Sequence, residues 1–442
     1  MRMHVGGPGR GRVLAFVLLS ALARAGDGGL ALDGWLTWRG PAQNGTSVET
    51  GLPEQWVVGA ENHLWSVPLS GRGTPVVAAG RVYVMGYAGE GATVQEVFAC
   101  YDELTGALVF EHYFPDFLSD TVYSRYSISS PSIDPETGRV YFMTTPGLFC
   151  CYSAQGEKLW EHDLMAELGR LTFPNSRTGS AAIDGDLVLI HTVTSHWGPM
   201  GPAADRFYAF DKLDGRMVWF ASPGTSPKDN PYSQPVLAWE NGRRVLYAAT
   251  GCGHIMCLDA RSGDALWRFP LGSGGICSSV VLSGEHVIAI HDVENLDNSE
   301  IGRMVAIRRG AEPKAGEAGP LTLDQSYEAW RNELGAFSSS PVLVGERIYQ
   351  TTAKGELCAV DATTGKVLWR HKLAPDQIHA SPTYGDEKLY VPMNNGAFYI
   401  VRPKDEGPEV LARVQLEGNC LGAPAIWNGK VWVHTTPQLH CF

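Results

Sequence analysis

The sequence predicts an all-β fold, an eight-bladed β-propeller of four-stranded antiparallel blades whose ring is closed by an N-terminal strand. Three observations predict it. Residues 339–369 hold four short apolar runs separated by Gly/Asp turns, the pattern of one small up-and-down sheet that cannot bury both faces alone. Copies recur along the chain every roughly 40 to 60 residues, the spacing of propeller blades. The two ends of the repeating region are complementary fragments of one copy.

The elements follow in order. The first strand of a blade recurs at Thr74-Pro75-Val76, Ser130-Pro131-Ser132, Ser180-Ala181-Ala182, Gln234-Pro235-Val236, Ser279-Val280-Val281, Ser340-Pro341-Val342, Ser381-Pro382-Thr383 and Ala423-Pro424-Ala425. The outer turn and strand recur from Asp102 to Phe110, Ser153 to Trp160, Asp211 to Trp219, Asp259 to Trp267 and Asp361 to Trp369. Glycine in each turn supplies a left-handed position, and the late aromatic is a large apolar anchor. Outer strands then fall at Trp65, Phe110, Trp160, Trp219, Trp267, Trp330, Trp369 and near Leu411. Blade seven is degenerate, with residues 402–407 in place of the turn motif. His63-Leu64-Trp65-Ser66-Val67 is an outer strand with no repeat before it, and Gln438-Leu439-His440-Cys441 is a third strand with no successor. Pairing these completes blade eight and removes the free edges.

Three segments divide the chain. Residues 1–25 read as a secretory signal: Arg2, Arg10 and Arg12 precede an apolar stretch that ends at Ala23-Arg24-Ala25. That stretch is too short for a transmembrane anchor. Residues 26–61 read as an extension packed on the propeller, because Trp35, Trp38 and Trp56 are costly to expose. Residues 62–442 form the propeller. The chain is therefore expected outside the cytoplasm, periplasmic or extracellular, after cleavage near Ala25.

Asp361-Ala362-Thr363-Thr364-Gly365-Lys366-Val367-Leu368-Trp369 closely resembles the tryptophan-docking motif of the pyrroloquinoline-quinone (PQQ) repeat superfamily. Quinoprotein alcohol dehydrogenases and BamB-type outer-membrane assembly scaffolds belong to it. The resemblance covers nearly all of the chain after Leu64. It implies the fold and leaves the function open, because one fold hosts many sites. BamB-type members commonly carry a lipid-anchoring Cys after the signal; here the first Cys is Cys100.

Formal net charge is −12, and the four arginines of residues 1–25 have no acid beside them, so the remainder is more acidic still. This disfavours nucleic acid as a partner. Nine cysteines in an exported chain suggest disulfides. However, Cys100, Cys151, Cys257 and Cys441 share one register position with Ala209, Ala306, Ala359 and Ile400, two residues before the turn. Packing thiols suit that position. Quinoprotein dehydrogenases carry a disulfide between adjacent cysteines, but Cys150-Cys151 lies inside a strand, where successive side chains diverge. Cys252 and Cys277, on loops of consecutive blades, could pair; the sequence leaves the pairing of Cys252, Cys277 and Cys420 open.

The site is expected on the face that bears the starts of the first strands and the loops joining strands two and three. Three of those loops read as long: residues 86–95, 191–205 and 291–302. The resemblance implies a quinone site matched by residue type. Arg125 and Arg177 would clamp carboxylates. His196 and Trp197 would border and stack on the ring. Asp292, Glu294 and Asp297, with Asn394, would offer oxygens to calcium. The chain lacks a phosphate loop, a nucleophile elbow, His-Glu-x-x-His and Cys-x-x-Cys-His. The favoured reading is a protein- or ligand-binding module without assigned chemistry. A calcium- and PQQ-dependent alcohol dehydrogenase is the alternative.

Overall fold

The computed structural model describes residues 31–115, 129–168, 179–194, 203–229, 233–313 and 319–442. Residues 1–25, read above as a signal, lie outside them. The unit Leu32–Phe442 holds eight sheets, each built on four antiparallel blade strands, here A to D from the channel outward. Blade one runs Val76–Ala78, Arg81–Ala88, Gln95–Asp102 and Leu108–Pro115. Blade six runs Val342–Val344, Arg347–Thr351, Glu356–Asp361 and Val367–Lys372. Blade eight takes strands A to C from Ala425–Trp427, Lys430–His434 and Gln438–Cys441, and strand D from Trp65–Pro68. The register Trp65↔Cys441 and Val67↔Leu439 closes the ring as the sequence predicts.

One cross-strand pair repeats around the ring. Cys100 faces Phe110, Cys151 faces Trp160, Ala209 faces Trp219 and Cys257 faces Trp267. Ala306 faces Trp330, Ala359 faces Trp369 and Cys441 faces Trp65. A small strand-C residue leaves room for the large strand-D ring, which accounts for the alternation of Cys and Ala at one position. Blade seven departs, with Ile400 opposite Ala412.

Each strand-D aromatic docks on the next blade. Indole N–H groups of Trp65, Trp160, Trp219, Trp330 and Trp369 donate to the carbonyls of Glu103, Lys212, Ala260, Ala362 and Lys404 at 2.9–3.4 Å. Gly106 has φ +69°, and a Cβ there would lie 2.7 Å from the Trp65 ring. Glycine is thus required twice, for the turn and for the stacked indole. Blade seven receives Trp369 through Lys404 although its turn motif is lost. Trp160 is only partly covered, whereas Trp219, Trp267 and Trp369 are buried.

A second seam lies at the channel. The backbone N–H just ahead of strand A donates to a hydroxyl at the same position of the next blade. The pairs are Ala423 to Thr74 Oγ1, Thr74 to Ser130 Oγ, Ser130 to Ser180 Oγ, Gln234 to Ser279 Oγ, Ser279 to Ser340 Oγ and Ser340 to Ser381 Oγ, all 2.8–3.0 Å. Two blades lack the hydroxyl, and other bonds hold those seams: Gln234 Nε2 to the Ala181 carbonyl and Thr383 Oγ1 to the Pro424 carbonyl, both 2.8 Å.

Two of the three expected long loops are ordered differently from the sequence reading. Strands B and C of blade one continue to Ala88 and from Gln95, so residues 86–95 form an extended hairpin around a short Gly91–Thr93 turn. Residues 291–302 fold around buried Asn295. It donates to the Asp292 and Ile301 carbonyls and meets His291 Nδ1 at 2.9 Å. Residues 195–202 of the third loop lie outside the described ones. The segment between strands C and D of blade five adds an unforeseen strand, Leu321–Thr322, parallel to Ala265–Pro270 of blade four. All nine cysteines are buried and outside disulfides, so the Cys252–Cys277 pairing that the sequence left open is not made. Cys252 Sγ instead lies 3.1 Å from Thr250 Oγ1 and 3.3 Å from His254 Nδ1. Cys150 and Cys151 enter different cores on opposite faces of blade two.

Replacing Trp369 with alanine is expected to destabilise the ring by ~3–5 kcal/mol, and Ser340→Ala by ~1 kcal/mol. Urea unfolding midpoints check both, and an unchanged midpoint for Trp369→Ala would show that the indole is not a docking residue. A pH dependence comes from blade eight. His434 is buried between the carbonyls of Leu69 and Gly73, and burial lowers its pKa to about 4. The unfolded chain binds the proton near the ordinary value of 6.5. The resulting stability is full above that value and is lost as pH falls from about 6.5 towards 4. His440, about 4 by burial and the neighbouring His63, acts in the same window. Unfolding midpoints measured from pH 7.5 to 4 should fall along that limb, and more shallowly in His434→Gln.

Candidate functional site

The channel is closed from the turn side by the extension. Gly34–Trp35 pairs with strand A of blade one. The Leu36 carbonyl accepts from Ile133 N in blade two. The Gln43 amide bonds both backbone groups of Leu237 in blade four, and Asn44 Nδ2 donates to the Leu343 carbonyl in blade six. Gly45 and Ser47 bond Tyr384 in blade seven. Strands A surround the axis, so a short segment that reaches five of them must cross it. The amide of Asn44, within the sequon Asn44-Gly45-Thr46, is spent inside this plug.

Arg39 lies at the centre and is 2% exposed. Its guanidinium reaches the Pro341 carbonyl at 2.6 Å and those of Pro382 and Asn44 at 3.3 Å, with no carboxylate partner among the described residues. Burial lowers its pKa to about 9, which still leaves it charged at neutral pH. Gly45 has no Cβ, and the guanidinium occupies that space. Pro341 and Pro382 begin their strands, so Arg39 points up the channel towards the loop face.

At that face a pocket of about 370 Å³ opens between blades six, seven and eight and the approach to blade one. Phe337, Ile378 and Leu421 supply apolar wall; Arg72, His379, Asn394 and Asn419 supply polar groups. Phe337 meets His379 edge-to-face at 5.7 Å, and His379 Nδ1 lies 2.8 Å from Ser338 Oγ. Asn419 Nδ2 donates to the Asn394 carbonyl at 2.6 Å. Two groups are unsatisfied: Asn394 Oδ1 and Arg72 Nε are buried without a hydrogen-bond partner. Arg72 makes no ion pair among the described residues. The pocket therefore offers an anion one fork-shaped cation beside apolar surface.

Of the residues singled out from the sequence, Asn394 lines this pocket. Arg125, Arg177, His196 and Trp197 lie outside the described residues. Asp292, Glu294 and Asp297 are not brought together. Asp297 is held by Arg303 and, at 2.6 Å, by Arg331. Glu294 sits exposed at φ +67° with its carboxylate against Gly274. Asp292 is half-buried, and burial raises its pKa. Among the described residues no three His, Cys, Asp or Glu side chains converge as metal ligands. Arg72 was missed because Gly71-Arg72-Gly73 belongs to no motif; its signal is a lone arginine between two glycines ahead of the first strand A.

A buried cluster at the seam of blades three and four resembles a catalytic triad in composition only. Asp205 accepts from Gly251 N, Cys252 N and His191 Nε2 at 2.9–3.1 Å. His191 stacks on Phe207 at 4.0 Å. Burial, with Asp205 nearby, pushes the Cys252 thiol up to about 11, so it is no thiolate nucleophile at neutral pH. The carboxylate clamps one blade to the next.

Comparison with known proteins agrees with this architecture. The family model described as outer membrane protein assembly factor BamB matches residues 54–196, 203–307 and 321–407. The BamB of Yersinia pestis is 22% identical over 63% of this chain and 64% of its own length; that of Salmonella typhimurium is 24% identical over 42% and 43%. The chain thus spans less than two thirds of these relatives. The crystal structure of BamB from Moraxella catarrhalis superposes with a TM-score of 0.60 at 15% identity, covering 86% of this chain and 98% of that one. Quinohemoprotein alcohol dehydrogenase from Comamonas testosteroni superposes with 0.65 at 12% identity, covering 92% and 80%. At such identities the superpositions speak for the fold alone, whereas the family model covers most of the sequence. The chain belongs to the BamB family of PQQ-repeat β-propellers.

Proposed function

We propose that this chain is an exported binding module that holds a partner protein at the loop-face mouth of its channel and carries out no covalent chemistry. The observation that carries the reading is the mouth pocket, with unpaired Arg72 beside the apolar wall of Phe337, Ile378 and Leu421. The plug supports it, because a channel sealed at its far end offers a docking cup and not a passage. The partner chemistry that fits is an Asp- or Glu-bearing segment with an apolar neighbour. The relatives are named as outer membrane protein assembly factors, so a component of such an assembly is the partner to test. The leader in residues 1–25 supports export.

The dehydrogenase reading requires a calcium site and quinone clamps. Asp297 is committed to two arginines, and the described residues bring no three ligands together. Cys150 and Cys151 are free thiols facing different cores. The lack of a ligand cluster among the described residues favours the binding reading.

A photo-reactive amino acid at Leu421 or Ile378, introduced into the chain in its host, is expected to give a discrete cross-linked partner. Arg72→Glu should reduce that adduct at least about tenfold while leaving the unfolding midpoint within ~0.5 kcal/mol of wild type. Adducts formed only from Leu213 on the turn face would overturn the assignment. The second expectation concerns chemistry: purified chain supplied with PQQ and calcium should reduce no redox dye with ethanol. Sustained dye reduction abolished by Asp292→Ala would establish the enzyme instead.

A further inference from the structure

A second pocket, of about 170 Å³, opens on the same face at the seam of blades five and six. Its walls come from the end of strand B of blade five, the link between the blades, and strands C and D of blade six. Asp292, Glu300, Glu333 and Glu356 line it. Asp292, Glu300 and Glu333 form no ion pair among the described residues. Asp292 is half-buried beside Gly335, and burial raises its pKa, the mark of a carboxylate removed from water without a compensating cation.

Two more groups on this wall lack partners. Thr352 is 3% exposed, and its Oγ1 finds no hydrogen bond. Glu356 Oε2 is likewise buried without one. Arg370 stands 3.7 Å from that oxygen, an ion pair too long for a hydrogen bond. Lys354 also lines the pocket, so four carboxylates face two cations and the balance stays negative.

The spacing argues against a bare metal ion, since no three acidic or imidazole side chains converge there. Carboxylates spread around a small cavity, with a spare hydroxyl and a spare carboxylate oxygen, suit a planar donor that makes several separated hydrogen bonds. A guanidinium has five N–H groups in a fixed fork and is weakly hydrated, whereas an ammonium is a compact, strongly hydrated point charge.

We propose that the seam of blades five and six is a subsite for an arginine side chain of a protein partner, held by Asp292, Glu333 and Glu356 with Thr352 as an additional acceptor. The site lies apart from the Arg72 pocket and carries the opposite charge. It rests on the reading of this face as a protein-binding surface. A partner using both sites would present an acidic and a basic side chain together, which fixes its orientation as one charge type cannot.

The test uses the full-length processed chain and three blocked tripeptides with central arginine, lysine or citrulline, titrated by NMR or calorimetry. The arginine peptide should bind saturably. Citrulline, which has the shape without the charge, should bind at least about tenfold more weakly, and lysine should fall between them. Asp292→Asn and Glu333→Gln should each weaken the arginine peptide about tenfold. Glu333 is exposed, so its variant tests the site even where Asp292→Asn destabilises the fold. Arg72→Ala should leave the affinity unchanged, so this subsite and the mouth pocket fail separately. Equal affinity for arginine and citrulline, no loss in both variants, no saturable binding, or displacement of the peptide by low calcium would each overturn the proposal.

Discussion

The structure depends on a backbone N–H handed from one blade to the next at the rim of the channel, at six of the eight seams. That amide precedes strand A and has no partner within its own sheet. Buried without one, it would carry a penalty of about 1–3 kcal/mol. A serine or threonine hydroxyl from the neighbouring blade removes the penalty only when the blades sit at the right separation and rotation, so the bond fixes ring geometry as well as contributing to stability. The outer rim repeats the device with indole N–H donors and turn carbonyls. Each blade is gripped at two radii by directional bonds, and the apolar cores between blades fill the space that those bonds define.

Much of this was legible in the sequence because it is local and repeated. The docking aromatic, the turn glycine and the small strand-C residue recur at fixed spacing, and the orphan strand near Trp65 announced its own partner. The recurrent Ser/Thr ahead of strand A was visible too, but its role was not, since the acceptor it provides serves a different blade. Features that depend on distant partners escaped altogether. Nothing near Arg39 indicates that it fills the channel axis, and nothing in residues 309–327 indicates that Leu321 extends blade four. The candidate site was legible as a face more than as residues. Asp297 was chosen because it is an acid on a loop, and Arg331, far along the chain, decides its use. Arg72 was passed over for the same reason in reverse: it stands out because no described acid pairs with it.

Charge placement distinguishes this propeller from an inert ring. An acidic protein holds two guanidinium groups without a carboxylate partner among the described residues, one bonded to carbonyls in the plug and one in the mouth pocket. It also concentrates uncompensated carboxylates a short way round the same face. Groups left unpaired cost stability in the free protein, and a complementary partner recovers that cost on binding. The plug makes the channel one-sided, because its turn end is filled.

The closing strand has a consequence for folding. Residues 65–68 and their partner strand, residues 438–441, lie on either side of seven complete blades. Blades one to seven can stack on one another through contacts between chain neighbours, but Trp65 cannot take its place in blade eight until the two flanks of the arc meet. Closure thus carries a large loop entropy and a high contact order, which makes it a slow step. Before that step the chain is an open arc with a bare strand at each flank, and after it no edge is left to pair with a second copy.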